Sequence, residues 1–107
     1  MSQTYDQFMT TSRRLAILQG LRAVAQYRAN DALLQAWCEQ MGHAVSADRV
    51  LADIAWLAEQ DLLTAEHVDG LTVATLTVRG LDVATGRAEV PGVQRPAPGK
   101  AGQAGRN

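Results

Sequence analysis

Apolar residues in the first 60 positions recur at intervals of three and four. From about Asp6 to Ala25, Leu18, Leu21 and Ala25 share one face with Ile17 and Val24 beside them, the spacing of an amphipathic helix. Arg13, Arg14 and Arg22 are expected largely outside that stripe, and Tyr27 and Arg28 in the loop that follows. Asn30 is a good N-cap residue, with Asp31 in the first turn of a second helix carrying Leu33, Leu34, Trp37, Cys38 and Met41. Gly42 stops it, and Gly42-His43-Ala44-Val45 reads as a short turn. Ser46 then caps a third helix running to about Gln60. Its wide apolar face holds Ala47, Val50, Leu51, Ile54, Leu57 and Ala58, with Arg49, Ala52, Asp53 and Trp56 opposite.

Beyond this the period changes. Leu62 to Val68 and Leu71 to Thr77 read as two strands around Asp69-Gly70, a pair suited to a tight hairpin because both residues tolerate positive φ. The alternation is imperfect: Leu71 and Val73 point one way, Ala74 and Leu76 the other, and the buried face stays undecided. Thr77 caps a last short helix, with Leu81 and Ala84 inward and Gly86 as its stop. After Gly86 the chain carries all three prolines, and Val90 and Val93 are its only sizeable apolar residues. Such a stretch offers little surface to offset its ordering entropy, so residues 87–107 are expected to form a flexible, basic Pro/Gly-rich tail behind one domain at 1–86.

A chain of 107 residues, 47% of them hydrophobic, suits one small helix-rich domain. The single cysteine, Cys38, allows no intramolecular disulfide, and no secretory leader or spanning segment is apparent, so a cytoplasmic location is expected. Net charge is −1 but unevenly spread. Residues 1–29 set Asp6 against Arg13, Arg14, Arg22 and Arg28. Residues 30–82 hold nine acids against Arg49 and Arg79, and residues 83–107 are basic again.

Helix, helix, turn, helix, hairpin, short helix is the order of a winged helix-turn-helix: a mainly α, α+β fold with three helices, a two-stranded wing and a short C-terminal helix. Leu57-Ala58-Glu59-Gln60-Asp61-Leu62-Leu63 resembles the exit from a recognition helix into the wing, with Asp61 where many such domains have glycine. Leu76-Thr77-Val78-Arg79-Gly80-Leu81 resembles the step after it. Tyr27-Arg28-Ala29-Asn30, Gly42-His43-Ala44-Val45-Ser46, Ala55-Trp56-Leu57-Ala58-Glu59-Gln60, Gly80-Leu81-Asp82-Val83-Ala84, Val90-Pro91-Gly92-Val93 and Arg95-Pro96 together are similar to a family of small proteins of Mu-like bacteriophages and prophages. The resemblance covers residues 5–98 and implies a phage-encoded protein made in a bacterial cell. It implies no activity.

No catalytic constellation, metal-ligand spacing or phosphate-cradling glycine loop is present, so no enzyme, metal or cofactor is expected. His43 and His67 are read as structural or solvated, and Cys38 as packing. Two binding readings stay open. In the first, the third helix enters the major groove of double-stranded DNA with Ser46, Arg49, Ala52 and Asp53 toward the bases, while Arg13, Arg14 and Arg28 flank the backbone. Against it, that helix and its exit carry Asp48, Asp53, Glu59 and Asp61 beside the single Arg49, and the wing has no cation. In the second, the chain is an adaptor for a phage or host protein, anchored by Trp56 standing off the apolar stripe. Tyr5 and Phe8, upstream of the strong part of helix 1, offer a homodimer contact or an extension of their own core. No membrane role is expected.

Overall fold

Thr4 opens the first helix, α1 (Tyr5–Ala23), with a capping box: its hydroxyl accepts the Gln7 amide while the Gln7 side chain accepts the Thr4 amide. The computed structural model describes residues 3–97. α1 stops at Ala23, two residues short of the expected end, because Val24 is extended and Gln26 and Tyr27 both take left-handed backbone angles. A 3-10 turn over Ala25–Tyr27 leads into β1 (Arg28–Asn30), a strand where a loop was expected. Asn30 then caps α2 (Asp31–Gln40) through the Leu33 amide, and Ser46 caps α3 (Ala47–Glu59) through the Arg49 amide.

β2 (Leu63–Val68) and β3 (Leu71–Leu76) follow, joined through Asp69 and Gly70 at φ 51° and 80°. The sheet is antiparallel with strand order β1-β3-β2, so it has three strands rather than the expected two. Arg28 pairs with Thr75 and Asn30 with Val73 on one side of β3, and Leu63 with Leu76 and Val68 with Leu71 on the other. Thr72, Ala74 and Leu76 point into the core and Leu71 outward, which resolves the ambiguous alternation. Thr77 caps α4 (Val78–Thr85), and Gly86 ends it in the left-handed region.

The core gathers Ile17, Leu18 and Leu21 of α1, Leu34 and Cys38 of α2, Val50, Ile54 and Leu57 of α3, Leu62 and Leu63 at the start of the hairpin, and Val83 and Ala84 of α4. Trp37 ties α2 to α1: its indole N–H donates to the Ala16 carbonyl at 2.7 Å, and its ring lies where Gly20 leaves room.

The segment after Gly86 departs from the expected free tail. Val90 and Val93 are buried in the same core, Arg14 Nη1 donates to the Gly92 carbonyl at 3.0 Å, and the Gln94 amide donates to the Thr11 carbonyl at 3.2 Å. Residues 90–94 thus form a strap across α1. At Gly92 (φ 98°) an added Cβ would stand 2.7 Å from the Trp56 ring, so only glycine suits both the angle and the approach. The remaining tail, residues 98–107, lies outside the described residues.

Candidate functional site

The largest departure from the expected surface lies between α1 and α3. Arg13 and Asp53 both face inward, 4% and 3% exposed, and form a fork: the Arg13 Nε donates to Asp53 Oδ2, and Nη2 to Oδ1 at 3.3 Å. Arg14 stands beside them, its Nε 3.9 Å from Asp53 Oδ1. Its guanidinium lies 3.8 Å from the centre of the Trp56 ring, a cation over an aromatic face. Burial pulls the Arg14 guanidinium below its ordinary value, Asp53 pulls it back up and Arg13 again lowers it. Arg13 and Asp53 therefore cannot reach DNA as expected, and Arg14 is engaged by Trp56 and the strap. Trp56 is partly buried, with Arg14 over its ring and Gly92 of the strap against it.

His43 sits next to this cluster in the turn before α3. Its amide donates to the Cys38 carbonyl at 2.7 Å, and its Nε2 lies 3.3 Å from Ser12 Oγ. Its Nδ1 is buried with no partner among the described residues. Desolvation lowers the His43 pKa from 6.5, Arg13 lowers it further, and Asp53 acts the other way. The sign follows from where the proton goes. The unfolded chain takes it up near 6.5 and the folded chain only at lower pH, so stability is full above that value and falls as pH drops through it. A urea midpoint should therefore fall between about pH 7.5 and about pH 5, and fall less in His43→Gln. Equal falls in the two proteins would remove His43 as the cause.

Other candidates lie apart. Ser46, Arg49 and Ala52 are exposed along the outer face of α3 with Ala47, Asp48, Ala55 and Glu59. Arg28, on β1, reaches across β3 to Glu66 of β2 at 3.1 Å and is tied to the sheet rather than to α3. Tyr5 and Phe8 are 75% and 46% exposed at the start of α1. Cys38 is buried, and desolvation, aided by Asp53, pushes its thiol up to about 11, which keeps it protonated at neutral pH. Among the described residues, no three metal-ligating side chains converge, and no helix is long and apolar enough to cross a membrane.

The buried fork was missed although the sequence carried a sign of it. Arg13 precedes Ile17 and Leu21 by four and eight residues, and Asp53 falls between Val50 and Leu57 at steps of three and four. Opposite charges on two apolar stripes are the trace of an ion pair between helices.

The sequence is 48% identical over 93 residues to a protein of Escherichia phage Mu named uncharacterized protein gp26, covering 87% of this chain and 96% of that one. The chain belongs to the phage Mu gp26 family. An uncharacterized protein of Haemophilus influenzae is 36% identical over 83 residues, covering 77% of this chain and 80% of its own length. No protein-family model matches the sequence, and no solved structure matches the fold. Membership in the gp26 family agrees with the resemblance drawn from the motifs.

Proposed function

We propose that this gp26-family chain is a winged-helix module that binds a protein partner in the cytoplasm of the phage's host. The winged-helix reading draws support from the helix pair α2 and α3 around the turn at Gly42, followed by the β2–β3 hairpin, with β1 pairing β3 from the far side. The partner reading rests on one observation. The α1 arginines that face α3, Arg13 and Arg14, are turned inward onto Asp53, and the outer face of α3 is left with three alanines, two acids and Arg49, with Arg79 donating to the Gln60 carbonyl at its C-terminal end. The hairpin adds no free cation to this, since Arg28 on β1 is paired with Glu66 and Asp69 stands at the turn. Such a surface would repel a phosphate backbone, which supplies most nonspecific affinity for DNA.

Ala55→Arg places a long charged side chain on the exposed face of α3 without entering the core. The tagged chain should retain a phage or host protein from cells carrying an induced Mu-like phage, and Ala55→Arg should lose it while keeping the helical circular dichroism spectrum. Duplex DNA is the second reading, favoured by the exposed Ser46 and Arg49 at the start of α3. Fluorescence anisotropy with duplex DNA at low salt should show no binding at micromolar protein. A salt-sensitive rise that disappears in Arg49→Ala would replace the protein reading with the DNA one.

A further inference from the structure

The two edges of the sheet are finished differently. Asp69 and Gly70 join β2 to β3 as a two-residue turn with both φ positive, so Val68 and Leu71 close the hairpin as a hydrogen-bonded pair. Alternation then turns the amides and carbonyls of Thr64 and Glu66 toward β3, and those of Ala65 and His67 outward. On β3 it turns Thr72 and Ala74 toward the β1 side. Two bonds agree with this phase: the Thr77 amide donates to the Leu62 carbonyl at 3.2 Å, and the Thr72 amide to Asp31 Oδ1 at 3.0 Å. Asp31 thus covers the β3 amide that lies just beyond the end of β1.

The outer edge of β2 has no such cover. Among the described residues, no side chain or loop bonds the backbone of Ala65 or His67. Both lie opposite Ala74 and Thr72, on the side of the sheet that packs on the core, yet both are exposed, so no helix overhangs this edge. The usual guards of a free edge are missing too: β2 has no proline, lysine or arginine, and its register with β3 runs without a bulge. Its one acid, Glu66, is bonded to Arg28 at 3.1 Å. We infer that this edge pairs with the same edge of a second copy, antiparallel and about a two-fold axis normal to the sheet, so that the dimer carries one continuous sheet. The inference does not depend on the protein-partner reading.

The sequence of β2 matches itself in one register. Paired side chains share a face of the sheet, so a two-fold pairing is centred on a residue rather than between two. Centred on Ala65, each Ala65 amide donates to the other copy's Ala65 carbonyl, and the small side chain sits at the axis. Thr64 then lies beside Glu66 of the copy, a hydroxyl donor next to a carboxylate, and the pairing spans the whole of β2. Centring on Glu66 would bring two carboxylates together, and centring on His67 would carry the pairing into the turn at Asp69. Charge and length both select the Ala65 register.

Sedimentation velocity on the full chain should show a monomer–dimer equilibrium between micromolar and millimolar protein, as suits a small interface. Amide hydrogen exchange followed by NMR reads the contact itself. The Ala65 and His67 amides should slow as the dimer fraction rises, whereas the Glu66 amide, already bonded to β3, should be protected at every concentration. Thr64→Glu should weaken the dimer about tenfold through two like-charge contacts, and Thr64→Lys should tighten it. Ala65→Lys, at an exposed position, should leave a monomer with an unchanged helical circular dichroism spectrum. A monomer at every concentration, or a dimer whose Ala65 and His67 amides exchange as fast as they do on dilution, would overturn the proposal. A dimer lost in Phe8→Ser but kept in Ala65→Lys would overturn it in favour of a contact through α1. Protection of the two amides only in a complex with another protein would replace the second copy with a strand of that partner.

Discussion

Asp53→Ala should destabilise the protein by about 3–5 kcal/mol, the range for removing one partner of a buried ion pair. Its carboxylate accepts both donors of the Arg13 fork and is the anion nearest Arg14, and both members of the fork are almost wholly buried. Without it, two guanidinium groups repel each other in a poorly hydrated space. Small domains are stable by about 5–15 kcal/mol in all, so at the low end of that range the loss would leave only about 0–2 kcal/mol. Chemical denaturation measures it directly, as a fall in the urea midpoint. The double variant Arg13→Met/Asp53→Leu removes both charges and keeps apolar volume, and should recover most of the loss. If Asp53→Ala stays within about 1 kcal/mol of the parent, water reaches the cluster and the fork is no structural keystone.

Gly80→Ala should cost about 3 kcal/mol, at the upper end for forcing a methyl group into a filled space. Gly80 lies in the first turn of α4, and its amide is held by Thr77 Oγ1 at 2.9 Å. A Cβ there would collide with the Leu62 carbonyl oxygen, which already accepts the Thr77 amide at 3.2 Å, and with Leu76 Cδ1 at 2.7 Å. Backbone cannot rotate aside as a flexible side chain can, so α4 would have to lift off the hairpin and expose Val83 and Ala84. Val78→Ala in the same turn removes a side chain already 79% exposed and should leave the urea midpoint unchanged. Equal midpoints for Gly80→Ala and the parent would mean that α4 moves at little cost.

What the amino-acid sequence revealed follows the reach of the forces involved. Asn30, Ser46 and Thr77 cap their helices through side chains that bond amides three residues away, and Asp69-Gly70 forms its turn with its own backbone. These are local interactions, so the elements could be placed closely. β1 was missed because three residues show no alternation and Arg28–Asn30 becomes a strand only by pairing with β3, more than 40 positions away. The strap was missed for a related reason. Two valines cannot build a core, but they can complete one whose walls α1, α3 and α4 already supply. The Arg13–Asp53 fork was legible in part, since both residues sit in apolar registers, but only two helices brought together reveal the match.

The strap also orders events in time. Arg14 and Gly92 are 78 positions apart, and a ribosome makes α1, α3 and the hairpin before Gly92 exists. During that interval Asp53 can already hold both arginines and Arg14 can lie over Trp56, but the side of the ring that Gly92 meets has no cover. The nascent chain therefore presents an open aromatic face until the strap emerges and closes it, and contacts of such long range are the slow ones in folding. A stalled or shortened product would carry that face into the cell, where a chaperone or protease could tell it from the finished protein.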